Sequence, residues 1–243
     1  GFPTLEKLWE IMDEVWEEFD CDAYNLDSRV ESFYSHPVWL LNGLFIEQHK
    51  ESLVNREVFS SWVSDQKPER VADFGGGFGS LARMIAKSCP NTQVDVIEPH
   101  FHQLAVYMSQ NLNNLNYKKK LEGKYDILIA TDVFEHVLDP LELIASTSSF
   151  LKYGGFYLIA NCFEPVIKCH LPQSYHFCHT FNKALEAMNL EHKEKILYGN
   201  IFKLNKKLNL NEARNVENKS KKIWLLTKYL HRRIRSVVTN FVL

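Results

Sequence analysis

The stretch Asp73-Phe74-Gly75-Gly76-Gly77-Phe78-Gly79 sets a carboxylate and four glycines between an apolar run, Val71 to Phe74, and a helical pattern from Ser80 to Ala86. Glycines between a strand and a helix let the backbone approach a ligand where the helix start offers free N–H groups. A triphosphate-binding loop needs Lys and Ser or Thr after its last glycine, whereas Gly79 is followed by Ser80-Leu81, which argues against that use. A nicotinamide dinucleotide needs Gly-x-Gly-x-x-Gly, and the third-glycine slot here holds Ser80. The Asp73 carboxylate would also repel a pyrophosphate. A cation reverses that sign, and an ammonium can be held at a strand tip directly or through water. Glu98 closes a second apolar run, Val94-Asp95-Val96-Ile97, 19 residues after Gly79. A carboxylate there can accept two hydrogen bonds from a ribose diol. A positively charged nucleoside satisfies both acids, and S-adenosylmethionine, with its ammonium and sulfonium, is such a compound.

The elements that must position these groups follow from periodicity. Residues 4–20 read as an amphipathic helix capped by Thr4, with Leu5, Leu8, Trp9, Met12, Val15, Trp16 and Phe19 at three- and four-residue steps. An aromatic stretch, Tyr34-Ser35-His36-Pro37-Val38-Trp39, leads into a helical pattern through Phe59 and Trp62. From residue 71 to 161 short apolar runs alternate with helical patterns, the mark of a parallel sheet with crossover helices. Strands are expected at 71–74, 94–97, near 115–117, at 125–130 and at 156–160, the last preceded by a turn at Tyr153-Gly154-Gly155. Thr180 caps a helix to about Met188. Gly199-Asn200 is expected as the two-residue turn of an antiparallel hairpin between 193–198 and 201–204. Residues 205–220, rich in Asn, Lys and Glu, read as a linker. Beyond it Ile223, Leu226, Leu230, Ile234, Val237, Val238 and Phe241 form the stripe of one basic amphipathic helix.

With these pieces in place the sequence resembles the class I S-adenosylmethionine-dependent methyltransferases over about residues 69–204. Asp73 to Gly79 resembles their first motif and Glu98 their ribose-binding acid. Tyr125 to His136 resembles their fourth-strand motif, and Leu151-Lys152-Tyr153-Gly154-Gly155-Phe156 the turn before their fifth strand. The resemblance implies a Rossmann-like α/β fold: a seven-stranded, mostly parallel sheet with a terminal antiparallel hairpin. It divides the chain into a helical extension and lid (1–66), a donor-binding core (67–205), and a linker with a basic helix (206–243). Donor contacts are implied for Asp73, Phe74, Gly75, Gly76, Gly77, Gly79, Glu98, Pro99, Asp132 and Val133. The acidic residue often found after the third strand in such proteins has no clear counterpart; Asn113, Asn114 or Asn116 stands near that place.

Methyl transfer to a hydroxyl needs the two reactants brought together and a proton removed. His136, just past the fourth strand, is the first candidate base, with His170 or His176 beside it. These two and His179 come from the segment 161–179, which leaves the carboxyl edge of the sheet where an acceptor must sit. Asp132, Glu135 and His136 have the i, i+3, i+4 spacing that puts ligands on one helical face, and similar runs hold a cation in some related methyltransferases. The same Glu-His pair occurs in metal-free relatives, so a divalent metal is the lesser reading and no metal ligands are assigned. Zinc on Cys169, His170, Cys178 and His179 is disfavoured by spacing. The segments Phe33 to Gly43, Asn161-Cys162-Phe163-Glu164-Pro165 and Cys169-His170-Leu171-Pro172 are together similar to bacterial sugar O-methyltransferases. That resemblance implies a carbohydrate hydroxyl on a polysaccharide or its precursor, with Tyr34, His36, Trp39, Asn161 and His179 around it. The rivals are another small molecule, an RNA ribose, or a donor-binding scaffold without catalysis.

The 243 residues are 45% hydrophobic and 24% charged, enough for one sizeable core. Residues 1–31 carry ten acids against Lys7 and Arg29, and residues 219–243 carry seven Lys or Arg and no acid. The middle is nearly neutral, which argues against a nucleic-acid partner. Five irregularly spaced cysteines point to a reducing cytoplasm rather than a disulfide framework. The acidic first helix and the basic last one are expected to pack together or to seek partners. For residues 219–243 the candidates are a protein or the inner membrane face. The start Gly1-Phe2-Pro3 is that of a tag remnant or of a piece of a longer protein.

Overall fold

The computed structural model describes residues 3–242, with side chains described through Thr239; Gly1, Phe2 and the Phe241 side chain of the expected stripe lie outside them. Four helices precede the sheet: α1 (Leu5–Glu18), α2 (Ser28–Ser35), α3 (Val38–Ile46) and α4 (Lys50–Asp65). Thr4 caps α1 as expected, its hydroxyl accepting from Lys7 N at 3.3 Å, and the helix buries Leu8, Met12, Val15 and Trp16 on one face. These meet Val30, Phe33, Val38 and Phe45 in a core of their own.

The rest alternates as the periodicity required: β1 (Arg70–Phe74), α5 (Ser80–Ser88), β2 (Gln93–Ile97), α6 (Gln103–Met108), β3 (Leu115–Lys118), β4 (Tyr125–Thr131), α7 (Pro140–Ser148), β5 (Leu151–Ala160), α8 (Phe181–Ala187), β6 (Leu190–Ile196) and β7 (Gly199–Leu204). The seven strands lie in the order β3-β2-β1-β4-β5-β7-β6, with β7 antiparallel to both neighbours and the others parallel. The chain reverses its direction of winding between β1 and β4, which opens a crevice at their carboxyl ends. Alternation along β4 sends Ile127 and Ile129 to the layer of Leu81 and Ile85, and Leu128 and Ala130 to the layer of Leu141 and Phe181. Among the described residues no helix is long and apolar enough to cross a membrane.

Four expectations are corrected. The hairpin turn is Leu197-Tyr198, not Gly199-Asn200; Ile196 pairs with Gly199, and Leu197 takes φ +52°. Tertiary contact overrides the glycine signal, because Tyr198 packs on Phe59 and reaches Asp132. Tyr153-Gly154-Gly155 is not a turn before β5 but part of it. The supposed linker is largely α9 (Leu210–Thr227), capped by Asn209 and pinned by Arg214 to Asp139 and Glu217. The single basic helix is instead broken at 228–231 between α9 and α10 (Arg232–Val242), and Leu226, Ile234 and Val237 of its stripe are exposed.

The charged ends do not pair with each other among the described contacts. Both grip the loop 161–171: Glu17 and Asp13 of α1 hold Lys168, and Arg232 and Arg235 of α10 face Glu164.

Asp95 in β2 is fully buried and ties three strands, accepting from Arg70 (2.7 Å), Lys118 (3.1 Å) and Tyr125 Oη (2.9 Å). Burial pushes its pKa up, but these three donors outweigh it and hold the carboxyl below its usual range. Its contribution to stability is therefore complete above the unfolded-state value near 4 and is lost as pH falls through the lower folded value. Asp95→Ala is expected to cost about 3–5 kcal/mol in urea unfolding at pH 7. The gap between wild type and variant should shrink in titrations carried below about pH 4.

Candidate active site at the switch point

The first half of the site is the turn after β1. Gly75, Gly77 and Gly79 take φ of +70°, +52° and +76°, a conformation that side chains resist. Gly77 faces open space and its N–H points at Glu98 Oε2, 3.3 Å away, so that carboxylate and the loop border the same gap. Glu98 stands just past β2, and its other oxygen accepts from His100 N at 3.1 Å. Asp73 is 2% exposed and its Oδ1 has no partner among the described residues. Burial raises its pKa to about 6, with the Arg56 charge opposing. An ammonium or an ordered water would satisfy that oxygen. Val133 packs over Gly75, Gly76 lies against the Asp73 carboxylate, Phe74 joins the core, and Pro99 follows in an exposed turn.

The asparagines do not supply the missing adenine contact. Asn114 donates to the carbonyls of Ala86, Cys89 and Thr92, Asn116 turns to Asp95, and Asn113 is exposed.

The second half lies past β4. Asp132 takes φ +55° and accepts from Tyr198 Oη at 3.1 Å, and a 3-10 turn, Phe134–His136, follows. Asp132, Glu135 and His136 thus share no α-helical face, and the expected i, i+3, i+4 grouping is replaced by another: Glu135, His136 and His170 offer ligand atoms within 4.8 Å of one another. The His136 Nδ1 is 3.0 Å from the Cys169 carbonyl and the His170 Nδ1 is 2.7 Å from that of Glu164. A carbonyl can only accept, so both Nδ1 atoms donate and both Nε2 atoms keep a lone pair. Burial, then the neighbouring His170, pushes His136 down to about 3, so its ring is neutral. Glu135 is wholly buried; Oε1 accepts from Cys162 N at 2.8 Å and Oε2 has no partner among the described residues. Burial and then Asp132 push it up to about 8. Tyr34 and Trp39, stacked on each other at 5.1 Å, present their rings to His136 at 6.3 and 6.4 Å.

Other candidates sit elsewhere. His176 binds Ser220 of α9 through Nδ1, and His179 lies with it beside Trp224 and Arg235, away from the cluster. His36 accepts from Val38 N at the start of α3 and packs on Phe19. Asn161 accepts from Phe134 N and so positions the 3-10 turn.

The profile of a family described as a methyltransferase domain matches residues 47–198, more than half of the chain. The chain belongs to that family. This methyltransferase domain is 24% identical over 154 residues to a ubiquinone biosynthesis O-methyltransferase of Nitrosomonas europaea, covering 58% of this chain and 66% of the relative. It is 27% identical to ribosomal RNA small subunit methyltransferase C of Haemophilus influenzae (53% and 42%), and 25% identical to a malonyl-[acyl-carrier protein] O-methyltransferase of Halalkalibacterium halodurans (54% and 54%). The domain thus spans between about two fifths and two thirds of these relatives. An O-methyltransferase family protein from Burkholderia thailandensis shares the fold, with TM-score 0.59 and 14% identity over 83% of this chain and 70% of that one. Human N-acetylserotonin methyltransferase, solved with the methyl donor bound, does so at 0.55 and 15% over 82% and 66%.

Contacts that the spacing in sequence does not show hold the turn of residues 75–79 to the helical cap. Gly43 of α3 meets Phe78 of the turn so closely that a Cβ would stand 2.5 Å from the Phe78 Cβ. Glu47 accepts from Ser80 Oγ and from Arg83 (2.6 Å), and Ser35 Oγ meets His100 Nδ1 at 3.0 Å. Nothing in the spacing of these residues marks them, because each partner lies on a distant element. S-adenosylmethionine affinity is expected to fall as pH drops through about 6, where Asp73 takes up a proton. Calorimetry on Asp73→Asn should show weaker binding at pH 8 and no step near 6; an unchanged step would assign it to another group.

Proposed function

We propose that this methyltransferase domain moves a methyl group from S-adenosylmethionine to a carbohydrate hydroxyl. The observation that carries the acceptor class is an open cleft of about 690 Å³ between α1, the chain after it and the loop 165–175, with His170 in its wall. Trp16, Tyr24 and Tyr175 give the cleft rings, and Asp13, Asp20, Asp22 and Arg29 give it hydrogen-bonding groups. Ring faces stack on sugars while carboxylates and guanidinium bind their hydroxyls.

The donor, held by Asp73, the 75–79 turn and Glu98, supplies an electrophilic methyl group on a sulfonium. Tyr34 and Trp39 wall off water on one side of His136. The hydroxyl gives up its proton at the cluster of Glu135, His136 and His170, where two imidazoles fixed through Nδ1 offer free Nε2 atoms. A phenolic hydroxyl is the second reading, favoured by the stacked Tyr34–Trp39 wall and by the relative named for ubiquinone biosynthesis. Five unpaired cysteines suit work in a reducing compartment.

Donor turnover should be followed against glycans and nucleotide-linked sugars, against catechols, and against RNA. Turnover with the sugars supports the reading; turnover with catechols or RNA alone, or donor binding without any turnover, overturns it. His136→Ala is expected to lower kcat by about 10²–10⁴-fold while leaving donor binding intact. His176→Ala, altered outside the site, should retain activity.

A further inference from the structure

We infer that the outward face of α9, the segment 228–231 and α10 docks on the surface of an anionic phospholipid bilayer. This surface is separate from the donor turn and from the cleft, and nothing in it depends on which acceptor is methylated.

Both helices have an inner face that is already taken. Ser220, Ile223 and Thr227 of α9 and Arg235 and Thr239 of α10 close over the segment that carries His176 and Thr180. Ser220 Oγ donates to the His176 carbonyl at 2.7 Å, and the Arg235 guanidinium lies over the Trp224 ring at 4.6 Å. With these contacts in place the opposite faces are held outward. Lys222, Leu225 and Leu226 stand at i, i+3 and i+4 on the outer side of α9, Tyr229 follows four residues later, and Arg233, Ile234 and Val237 lie on the outer side of α10. Leu226 is 84% exposed, Tyr229 89% and Val237 70%, and Leu225, Leu230 and Ile234 are exposed with them. One exposed leucine is ordinary on a protein surface, but six large apolar side chains between residues 225 and 237 mark a contact site.

The charge around them selects the occupant. No acid follows Glu217 in the sequence. Of the cations beyond it, Lys221 is taken by Glu217, and Arg232 and Arg235 face Glu164. Lys219, Lys222, Lys228 and Arg233 are exposed and have no carboxylate partner among the described residues.

Apolar side chains bordered by unpaired cations fit the boundary of a bilayer, where leucines and a tyrosine ring enter below the headgroups while Lys and Arg reach anionic phosphates. A nucleic acid would neutralise the cations but leave the leucines wet. A second copy docked by the same face would set the four cations against their own kind. The acidic α1 of another copy would meet the cations, but its exposed positions are all charged and offer nothing to Leu226. No described helix is long and apolar enough to cross a bilayer, so the domain lies on the surface.

The full chain should be sedimented with vesicles of phosphatidylcholine alone and with vesicles of phosphatidylcholine and phosphatidylglycerol in equal parts. The expected result is saturable binding to the anionic vesicles, at least about tenfold tighter than to the neutral ones and weakening as salt rises. Two triple variants separate the contributions: Lys219→Glu with Lys222→Glu and Arg233→Glu, and Leu225→Ser with Leu226→Ser and Ile234→Ser. Each should bind the anionic vesicles at least about tenfold more weakly while S-adenosylmethionine calorimetry stays as in the wild type. Lys119→Glu with Lys120→Glu, exposed elsewhere, should bind vesicles as the wild type does. Absence of preference for the anionic vesicles, or binding that both triple variants retain, overturns the inference. So does self-association of the lipid-free chain, read by ultracentrifugation, that the triple variants abolish while vesicles go unbound; that outcome assigns the face to a second copy. Should a triple variant fail to fold by circular dichroism, the wild type's preference between the two vesicles and its salt dependence decide.

Discussion

Asp73 is held almost free of solvent at the tip of the first strand, with one oxygen unpartnered among the described residues and a second acid, Glu98, just past the end of the neighbouring strand. Two carboxylates so placed favour a ligand that brings positive charge and hydroxyl donors, and they disfavour a phosphate. The parallel register of β1 and β2 puts both acids at one sheet edge, and the left-handed turn of residues 75–79 keeps side chains out of the space between them. The direction of winding changes at the same edge, so the gap is open where the acids stand.

The helical cap and the sheet are joined through polar contacts rather than through one continuous core. The cap has its own apolar cluster, and its link to the donor turn runs through Glu47 to Arg83 and Ser80, and through the close approach of Gly43 to Phe78. Arg83 is 4% exposed and also donates to the Phe78 carbonyl at 2.7 Å. The cap thereby fixes the shape of the turn as well as covering it.

The sheet and the gathering of Asp73, the glycine turn and Glu98 at one edge were legible because they rest on local pattern: alternation, glycines, and acids at strand ends. β3 was faint, since Leu115-Asn116-Tyr117-Lys118 has one buried side chain and lies at the sheet edge. The turn at 197–198 was misread because tertiary packing of Tyr198 outweighs the glycine signal. The helix over 210–227 was misread because its support comes from packing against α8 and from Arg214, neither visible as composition. On the acceptor side the histidines were found but not their grouping. His136 and His170 are 34 residues apart in sequence, and long-range hydrogen bonds, from Leu171 N to the Glu135 carbonyl, from His136 Nδ1 to the Cys169 carbonyl and from Cys162 N to Glu135 Oε1, bring their segments together. His176 and His179, six and nine residues after His170, lie in the 3-10 segment Pro172–His179 on the side toward α9.

The loop 161–171 is fastened from opposite directions, Lys168 by the acids of α1 and Glu164 by the arginines of α10. Glu164 is also the residue whose carbonyl orients His170. The two outermost helices therefore both bear on the loop that carries His170. The orientation of one imidazole is thus tied to segments at both ends of the chain that lie far from it in sequence.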